Sequence, residues 1–335
     1  MSGIAARTRT GPSDALREIQ MPVQDRLEQV VHEMHGILTT DLPMIEQVSA
    51  HLLRMRGKMF RPTLTLLASA VDGTPQPRAM RLAAVIELMH LATLVHDDSV
   101  DHSVLRRGLP TINSLFSHQV SVIMGDFLYS RALTALVDVG DLEIVRVLTG
   151  ASNELAIGEM RQLSALDALG FSEDDYFGLI RSKTASLLSA ACDVGALCGA
   201  ERFRDALRRY GDLLGMAFQI ADDIIDYTED ASVTGKPSGL DLKEHKVTLP
   251  LIAALGKLTP AARARVDGLF AAETPDDASI ADVVAIVAEN GGIEYARRRG
   301  ESFAQEAEEA LVPLPDTPIR SALTDASSYV MDRRS

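Results

Sequence analysis

Residues 82–113 read LAAVIELMHLATLVHDDSVDHSVLRRGLPTIN, and this stretch decides the predicted fold. It is a long apolar run with helical spacing that ends in three aspartates and two arginines: Asp97, Asp98, Asp101, Arg106 and Arg107. Because residues i and i+4 lie on the same helix face, Asp97 and Asp101 can direct their carboxylates to one spot, with Asp98 beside them. Carboxylates that close repel one another unless a cation lies between them, and an oxygen-only ligand set suits Mg²⁺. The arginines can bind phosphate through paired hydrogen bonds.

A second acidic cluster with the same spacing lies far along the chain. Residues 218–227, FQIADDIIDY, place Asp222, Asp223 and Asp226 at the end of another apolar helical run. A single cluster of this kind could be a solvated acidic turn at a helix end. Two copies favour clusters that face each other across a helical bundle and hold Mg²⁺, roughly two or three ions per site, around one diphosphate.

The composition predicts one large all-α domain. The chain has 335 residues, of which 46% are hydrophobic and 24% charged, and its apolar residues recur with helical spacing. No Pro/Gly/Ser-rich linker divides it, so we expect a single helical bundle over residues 19–335. We expect disorder over residues 1–18, with a short transit-like leader as the alternative. No uninterrupted apolar run reaches the roughly 18 residues of a transmembrane span.

The net charge and the cysteines limit the partners and the compartment. A formal net charge of −14 argues against nucleic acid as a partner and gives no general attraction for anionic substrates. Any diphosphate site must therefore be local, made of metal ions and clustered cations.

Cys192 and Cys198 both lie in an Ala/Leu-rich helical run, where reduced core thiols are expected, so a cytoplasmic location fits.

The periodicity predicts further helices and some of their ends. We expect helices over 22–40, 42–54, 78–101, 119–137, 141–167 and 316–333. Gly57 should end one helix, and Pro62 should lie in the first turn of the next. Ser172 and Asp175 form a capping-box pattern. Most residues of the segment 158–162 are expected to have a structural role.

Several cations lie where they could bind phosphate. Lys58 and Arg61 are close to a predicted helix N-terminus, whose free N–H groups and dipole favour anions. His90 lies two helical turns before Asp97 on the same face, although a lone histidine in an apolar helix is more often a core residue.

The segment 228–245 is predicted to be a long polar loop. It is either a lid that closes over a reactive site or an ordinary solvated loop.

Taken together, these motifs resemble the trans-isoprenyl diphosphate synthases, the polyprenyl synthetase family, over roughly residues 25–333. The ordered motifs are GKxxRP at 57–62, HDDxxD at 96–101, RRG at 106–108, GDFLYSRA at 125–132, GExxQ at 158–162, KT at 183–184, QxxDDxxD at 219–226, GKP at 235–237 and KVTLP at 246–250. The resemblance implies a single bundle of the isoprenoid synthase type with a central active-site cavity, usually as a homodimer.

The resemblance also implies a role for each matching residue. Mg²⁺ on the allylic diphosphate would be held by Asp97, Asp98, Asp101, Asp222, Asp223 and Asp226. Isopentenyl diphosphate would be bound by Lys58, Arg61, His90 and Arg107. The allylic substrate would be bound by Arg106, Lys183, Thr184, Gln219, Lys236 and Lys246. The implied catalytic residues are the aspartates of both clusters together with Arg106 and Lys183.

The implied reaction is a head-to-tail condensation of isopentenyl diphosphate with an allylic prenyl diphosphate. Metal ions and cations would help the allylic diphosphate to leave, the alkene would attack, and the released diphosphate would take the proton. We expect at most peripheral membrane contact, for product release. Leu240 and His245 replace an acid and a glycine that are common in relatives, which affects the lid and not the reaction class.

Product length follows from the space beneath the first acidic cluster. Ala92 and Thr93 lie roughly 6–8 Å before Asp97 along the helix axis, and their small side chains leave this space open. The chain therefore resembles long-chain members, hexaprenyl to decaprenyl, with a quinone side chain as the expected use and a tunnel floor near Leu148. The alternatives are a farnesyl or geranylgeranyl diphosphate synthase, a class I terpene cyclase and a non-catalytic synthase subunit.

Overall fold

The computed structural model describes residues 12–55, 57–73, 75–164, 168–228 and 239–332, and within them the predicted all-α fold is confirmed. The first helices are α1 (Pro12–Gln20), α2 (Gln24–Leu38), α3 (Pro43–Arg54), α4 (Phe60–Ala70), α5 (Arg78–Val100), α6 (Ile112–Leu115), α7 (His118–Val137) and α8 (Leu142–Ser164). They are followed by α9 (Glu173–Ile180), α10 (Ser186–Leu197), α11 (Arg204–Thr228), α12 (Leu240–Lys243), α13 (Leu249–Leu255), α14 (Pro260–Ala271), α15 (Asp277–Glu289), α16 (Gly292–Ala310) and α17 (Pro318–Asp332).

Short elements connect these helices. There are 3₁₀ turns at Met21–Val23, Ala168–Gly170 and Glu201–Phe203, and a π-helical turn at Arg181–Ala185 between α9 and α10. Within the described residues, the only sheet is a hairpin of β1 (Leu105–Arg106) and β2 (Leu109–Pro110), with Leu105 opposite Pro110 and Arg106 opposite Leu109.

Helix α5 is the central helix of the bundle. It packs against α2, α4 and α7, while α10 packs on both α4 and α11, and α11 packs along α16. Leu82, Ala83, Ala84, Val85 and Ile86 are consecutive in α5, and all of them are fully buried. Since consecutive residues point in different directions around a helix, α5 must be surrounded by protein on all sides along this stretch. At its C-terminal end Asp98 and Ser99 are still buried, whereas Asp97 is half-buried and Asp101 is exposed.

The predicted helices agree with the structure at most boundaries, with two corrections. Residues 12–18, which we expected to be disordered, belong to α1, because Leu16 and Ile19 are buried in the main core. The predicted loop over 228–245 contains α12, whose Leu242 is fully buried in a second core cluster with α14 and α15. The Ser172 capping box is confirmed, since Ser172 and Asp175 bond reciprocally.

Two of the described helices, α5 and α7, are long and apolar enough to cross a membrane by length and composition alone. This criterion is weak, because the core helix of a globular bundle also meets it. The apolar window is 67% buried inside the protein in α5 and 39% buried in α7. Helix α7 therefore leaves part of an apolar face uncovered in a single chain, including Ile123 and Val137.

Candidate active site

The hairpin after α5 presents both arginines of the RRG motif. Arg107 and Gly108 form its turn, and their φ angles are 52° and 74°. Positive φ at both central residues is the pattern of a type I′ turn, which normally takes Asn, Asp or Gly. An arginine in this conformation is strained, by about 1 kcal/mol or more, and such strain occurs at functional sites. The Arg107 guanidinium donates a 2.8 Å hydrogen bond to the carbonyl of Met55.

Asp98 holds the other arginine. Arg106 Nε lies 2.9 Å from both carboxylate oxygens of Asp98, and Arg106 Nη2 lies 2.8 Å from Asp98 Oδ1. Asp98 is only 4% exposed. A buried carboxylate with several charge-assisted bonds fixes its partner firmly. We therefore interpret Asp98 as a residue that orients Arg106, although it was predicted as a metal ligand and retains lone pairs for that role.

The π-helical turn at Arg181–Ala185 places the KT motif. Lys183 Nζ lies 2.7 Å from Glu159 Oε1 and donates a 3.1 Å hydrogen bond to Gln162 Oε1. Both acceptors belong to α8, in the GExxQ segment for which we expected a structural role. They hold the Lys183 ammonium in place, and π-turns of this kind are frequent at functional sites.

A chain of hydrogen bonds orients the second acidic cluster. Thr184 donates to Gln219 at 2.7 Å, and Gln219 donates to Asp223 Oδ1 at 2.8 Å. The Tyr176 hydroxyl donates to Asp223 Oδ2 at 2.6 Å. Burial and the nearby charge of Asp241 raise the pKa of Asp223 well above its ordinary value, whereas these hydrogen bonds act in the opposite direction. Asp223 is therefore fixed on both oxygens.

Asp226 joins the second cluster to the segment that follows it. The backbone N–H groups of Leu240 and Asp241 donate to Asp226 Oδ1 and Oδ2, each at 3.1 Å. The N–H of Gly239 also donates to the Asp226 carbonyl at 2.8 Å. Asp226 thus caps the N-terminus of α12, a place where a carboxylate is favoured.

Three adjoining cavities surround the ends of α5 and α11. The basic cavity, of about 860 Å³, is lined by basic residues that include Lys58, Arg61, His90, Arg106 and Arg107. The acidic cavity, of about 510 Å³, is lined by carboxylates that include Asp101, Asp223, Asp241 and Glu244. The apolar tunnel, of about 460 Å³, is lined by residues that include Met89, Ala92, Tyr129, Ser152 and Leu155. Lys183 lines all three.

The structure brings the two acidic clusters to shared cavities. Asp97 and Asp222 both line the basic cavity, and Asp101 and Asp223 both line the acidic cavity. The predicted substrate residues Thr184 and Gln219 line both the basic and the acidic cavity. Lys246 lines the acidic cavity and the tunnel, and the predicted chain-length residue Thr93 lines the basic cavity and the tunnel. The prediction for Lys236 falls on residues 229–238, which lie outside the described residues.

Burial and like charges set the electrostatics of the site. Burial and the neighbouring charge of Glu159 raise the pKa of Asp97 to about 6. Burial and the positive charges of Arg61 and Arg107 lower the pKa of His90 well below its ordinary value, so His90 is neutral at physiological pH. A neutral imidazole still donates one hydrogen bond from its N–H.

The chemistry of the acidic residues fits a hard divalent cation. Among the described residues, no group of three or more His, Cys, Asp and Glu side chains is gathered closely enough to hold a metal ion. The charge of Asp101 nevertheless adds to burial and to the charge of Glu159 in raising the pKa of Asp97, and a cation beside Asp97 would relieve this repulsion. Oxygen donors with room for water and phosphate are the environment that Mg²⁺ prefers.

Sequence reasoning missed several residues of the site. Glu87 and Tyr329 line the basic cavity, and the Lys58 ammonium lies 5.9 Å from the centre of the Tyr329 ring. Tyr176 holds Asp223, and Asp241 lines the acidic cavity. Glu87 precedes His90 by one helical turn and was the only one of these with a signal: a charged residue inside an apolar helical run.

Comparison with known proteins shows the family to which the chain belongs. The polyprenyl synthetase family model matches residues 42–287. The chain belongs to the polyprenyl synthetase family. An all-trans-nonaprenyl-diphosphate synthase (geranyl-diphosphate specific) of Rhodobacter capsulatus is 37% identical over 96% of this chain and 98% of its own. The octaprenyl diphosphate synthase of Escherichia coli K12 is 37% identical over 88% of this chain and 92% of its own.

A solved structure extends the similarity to three dimensions. The polyprenyl synthase of Caulobacter crescentus CB15, crystallised with calcium and isoprenyl diphosphate, superposes with a TM-score of 0.91 at 31% identity. The alignment covers 98% of this chain and all of that one. The predicted family, the all-α fold and the class of enzyme, a transferase of the trans-polyprenyl diphosphate synthase family, are thereby confirmed.

Proposed function

We propose that this enzyme condenses isopentenyl diphosphate with an allylic prenyl diphosphate, head to tail and in trans, to give a long-chain polyprenyl diphosphate. The observation that carries the proposal is the position of Lys183, which lines the basic cavity, the acidic cavity and the apolar tunnel at once. One fixed ammonium at the junction suits a reaction in which two diphosphates and a growing hydrocarbon chain meet.

The basic cavity is the proposed site of isopentenyl diphosphate. Lys58, Arg61 and Arg107 supply the charge for its diphosphate, and guanidiniums bind phosphate oxygens in pairs. His90 is neutral and adds a hydrogen bond without adding charge. The homoallylic alkene would then lie toward Lys183, where the basic cavity adjoins the other two.

The acidic cavity and the upper part of the tunnel are the proposed allylic site. Mg²⁺ held by the aspartates of both clusters would supply positive charge to the departing diphosphate. Lys183, fixed by Glu159, lines both of these spaces, and Arg106, fixed by Asp98, lines the adjoining basic cavity, so both cations are preorganised beside the departing diphosphate. The Caulobacter crescentus relative was crystallised with calcium and isoprenyl diphosphate, which supports a divalent cation and a prenyl diphosphate as ligands of this enzyme.

The tunnel supports a long product. Ala92 and Thr93 line its wall with small side chains, as expected. We expected the tunnel floor near Leu148, but Leu148 is fully buried and does not line the tunnel. The far end of the tunnel is instead lined by Met89, Tyr129 and Ser152, which lie farthest from Asp97 along their helices. Relatives named octaprenyl and nonaprenyl diphosphate synthases favour the same conclusion over a farnesyl or geranylgeranyl product.

We also propose a cytoplasmic homodimer with at most peripheral membrane contact. The exposed apolar side chains of α7, Ile123 at 66% and Val137 at 63%, support a second copy as their cover. The two thiols, Cys192 and Cys198, are buried and unpaired, which suits a reducing compartment. Light scattering of the wild type and of Ile123→Glu tests the dimer, which the variant should weaken.

Product analysis tests the proposed reaction. The enzyme is incubated with farnesyl diphosphate, radiolabelled isopentenyl diphosphate and Mg²⁺, and the products are dephosphorylated and separated by chromatography. We expect label only in long-chain alcohols and no product when either the metal or isopentenyl diphosphate is omitted. Hydrocarbon products formed without isopentenyl diphosphate would indicate a terpene cyclase, and a complete absence of turnover would indicate a non-catalytic subunit.

A further inference from the structure

Among the acidic residues that line the basic cavity, Asp97 and Asp222 belong to the aspartate clusters and Glu159 holds Lys183, which leaves one acid without an assigned role. Glu87 lies on α5 among Lys58, Arg61, His90 and Arg107 and is only 7% exposed. None of the motifs that define the proposed substrate sites includes it. A buried acid is costly, so its presence beside an anion site needs a physical reason.

Simple electrostatics would favour the site without Glu87. A carboxylate in the cavity wall repels a diphosphate, and replacing it with a neutral group would make the cavity more positive. If the acid contributed only charge, its removal would therefore strengthen the binding of isopentenyl diphosphate. A structural role in the core would leave that binding unchanged.

The cations of the cavity supply the reason. Arg61, Arg106 and Arg107 line the same space, and like charges that close repel one another. Burial lowers the pKa of Arg107, and the charge of Arg106 lowers it further, whereas the charge of Glu87 raises it. Arg106 is already paired with Asp98, and Arg107 is bonded to the carbonyl of Met55. Glu87 is the buried carboxylate whose charge acts on Arg61 and Arg107 and can offset their mutual repulsion before the substrate binds.

The two arginines whose charges act on Glu87, and which line the same cavity, come from different elements. Arg61 is in the first turn of α4, and Arg107 is in the strained hairpin turn after α5. Glu87 belongs to neither, since it lies in the middle of the central helix. A charge on the rigid helix can therefore fix the relative positions of two cations on separate segments, which lowers the cost of ordering them when the ligand binds.

We propose that Glu87 is a positioning residue, which holds the guanidiniums of Arg61 and Arg107 in the orientation that receives the diphosphate of isopentenyl diphosphate. The inference rests on the proposed function of the basic cavity. It predicts weaker binding when the acid is removed, although the cavity becomes more positive. The sign of the change thus separates positioning from simple electrostatics.

Calorimetric titration with isopentenyl diphosphate, together with steady-state kinetics, tests the inference. In Glu87→Gln we expect the Kd of isopentenyl diphosphate and its KM to rise by about tenfold. This is the loss expected when one misplaced guanidinium no longer makes its charge-assisted hydrogen bond to the diphosphate. The KM of farnesyl diphosphate should stay within about twofold, because the acidic cavity is untouched. Glu87→Asp keeps the charge and should recover part of the loss.

A matched control separates this effect from loss of a buried acid in general. Asp193 is 4% exposed and pairs with Arg204 outside the three cavities. Asp193→Asn should lower thermal stability without changing the Kd of isopentenyl diphosphate. The inference is wrong if folded Glu87→Gln binds isopentenyl diphosphate as tightly as the wild type or more tightly. If Glu87→Gln does not fold, the same result for Glu87→Asp would overturn the inference. Turnover by the wild type tests the proposed function separately, so the two can fail independently.

Discussion

The guanidinium of Arg107 fills the space in which a side chain at residue 57 would lie. A Cβ built on Gly57 would be 2.5 Å from both Arg107 Nη1 and Arg107 Nη2, closer than real Cβ contacts allow. Glycine at this position therefore lets the GKxxRP segment and the hairpin turn come together, with Arg107 bonded to the carbonyl of Met55. Two motifs that are well separated in the sequence therefore line the same basic cavity.

Gly57→Ala should displace the Arg107 guanidinium and weaken the binding of isopentenyl diphosphate. We expect its KM to rise by about 10- to 100-fold, the loss expected for hydrogen bonds from a charged group. The KM of the allylic substrate should not change. Gly36→Ala is the control, since nothing lies within 4 Å of a Cβ at residue 36. A Gly57→Ala enzyme with wild-type kinetics would show that Arg107 does not bind this substrate.

Neighbouring aspartates of the first cluster should respond in opposite ways. Asp97→Asn removes a buried like charge, so the free energy of unfolding should rise, by about 1–2 kcal/mol, while Mg²⁺-dependent turnover is lost. Asp98→Asn breaks the pair with Arg106 and should lower the free energy of unfolding by about 3 kcal/mol. Urea unfolding and turnover at several Mg²⁺ concentrations measure both effects. Equal loss of stability in the two variants would contradict this division.

Two substitutions in the tunnel should change product length in opposite directions. Ala92→Phe places a ring across the tunnel near the acidic cluster and should shorten the product. Tyr129→Ala removes the largest side chain at the far end and should lengthen it. Chromatography of the dephosphorylated products measures the distribution of product lengths. Because nonspecific damage would not change product length in opposite directions, each variant serves as the control for the other. An unchanged product in both would refute the tunnel placement.

His90 should make stability depend on pH. Its pKa in the folded enzyme lies well below that of the unfolded chain, about 6.5, so the unfolded state binds the extra proton in acid. The free energy of unfolding should therefore fall as the pH decreases below about 6.5, by at most about 1.4 kcal/mol per pH unit from this residue. His90→Gln should lose this contribution. Urea unfolding of both proteins across this pH range measures the effect. Parallel curves of the free energy of unfolding against pH would contradict the prediction.

Local spacing explains what could be predicted from the sequence. The DDxxD pattern at the end of an apolar helical run places its carboxylates at the rim of the core, and this holds for α5 and α11, where Asp98 and Asp223 are buried. The clusters share the basic cavity through Asp97 and Asp222, as expected from two such helix ends in one bundle. Capping at Ser172 was predictable for the same reason, since it involves only residues three apart.

Contacts between distant residues explain what could not be predicted. Tyr176 and Asp223 are 47 residues apart, and nothing in the spacing around Tyr176 indicates its partner. Helix α1 is short, and its burial depends on α17 at the other end of the chain. The role of Glu159 depends on Lys183, whose side chain is placed by a π-turn that apolar periodicity does not report.

The π-turn at Arg181–Ala185 also fixes the rotation of α9 relative to α10. A π-turn contains one residue more than an α-helical turn, and each residue of an α-helix advances the side-chain direction by about 100°. Deleting one residue here would restore a regular helix but turn its two halves against each other by that angle. Either Tyr176 would swing away from Asp223 or the apolar face of α10 would leave the core. Homologous chains should therefore keep the length of this segment, even where residues other than Lys183 and Thr184 differ.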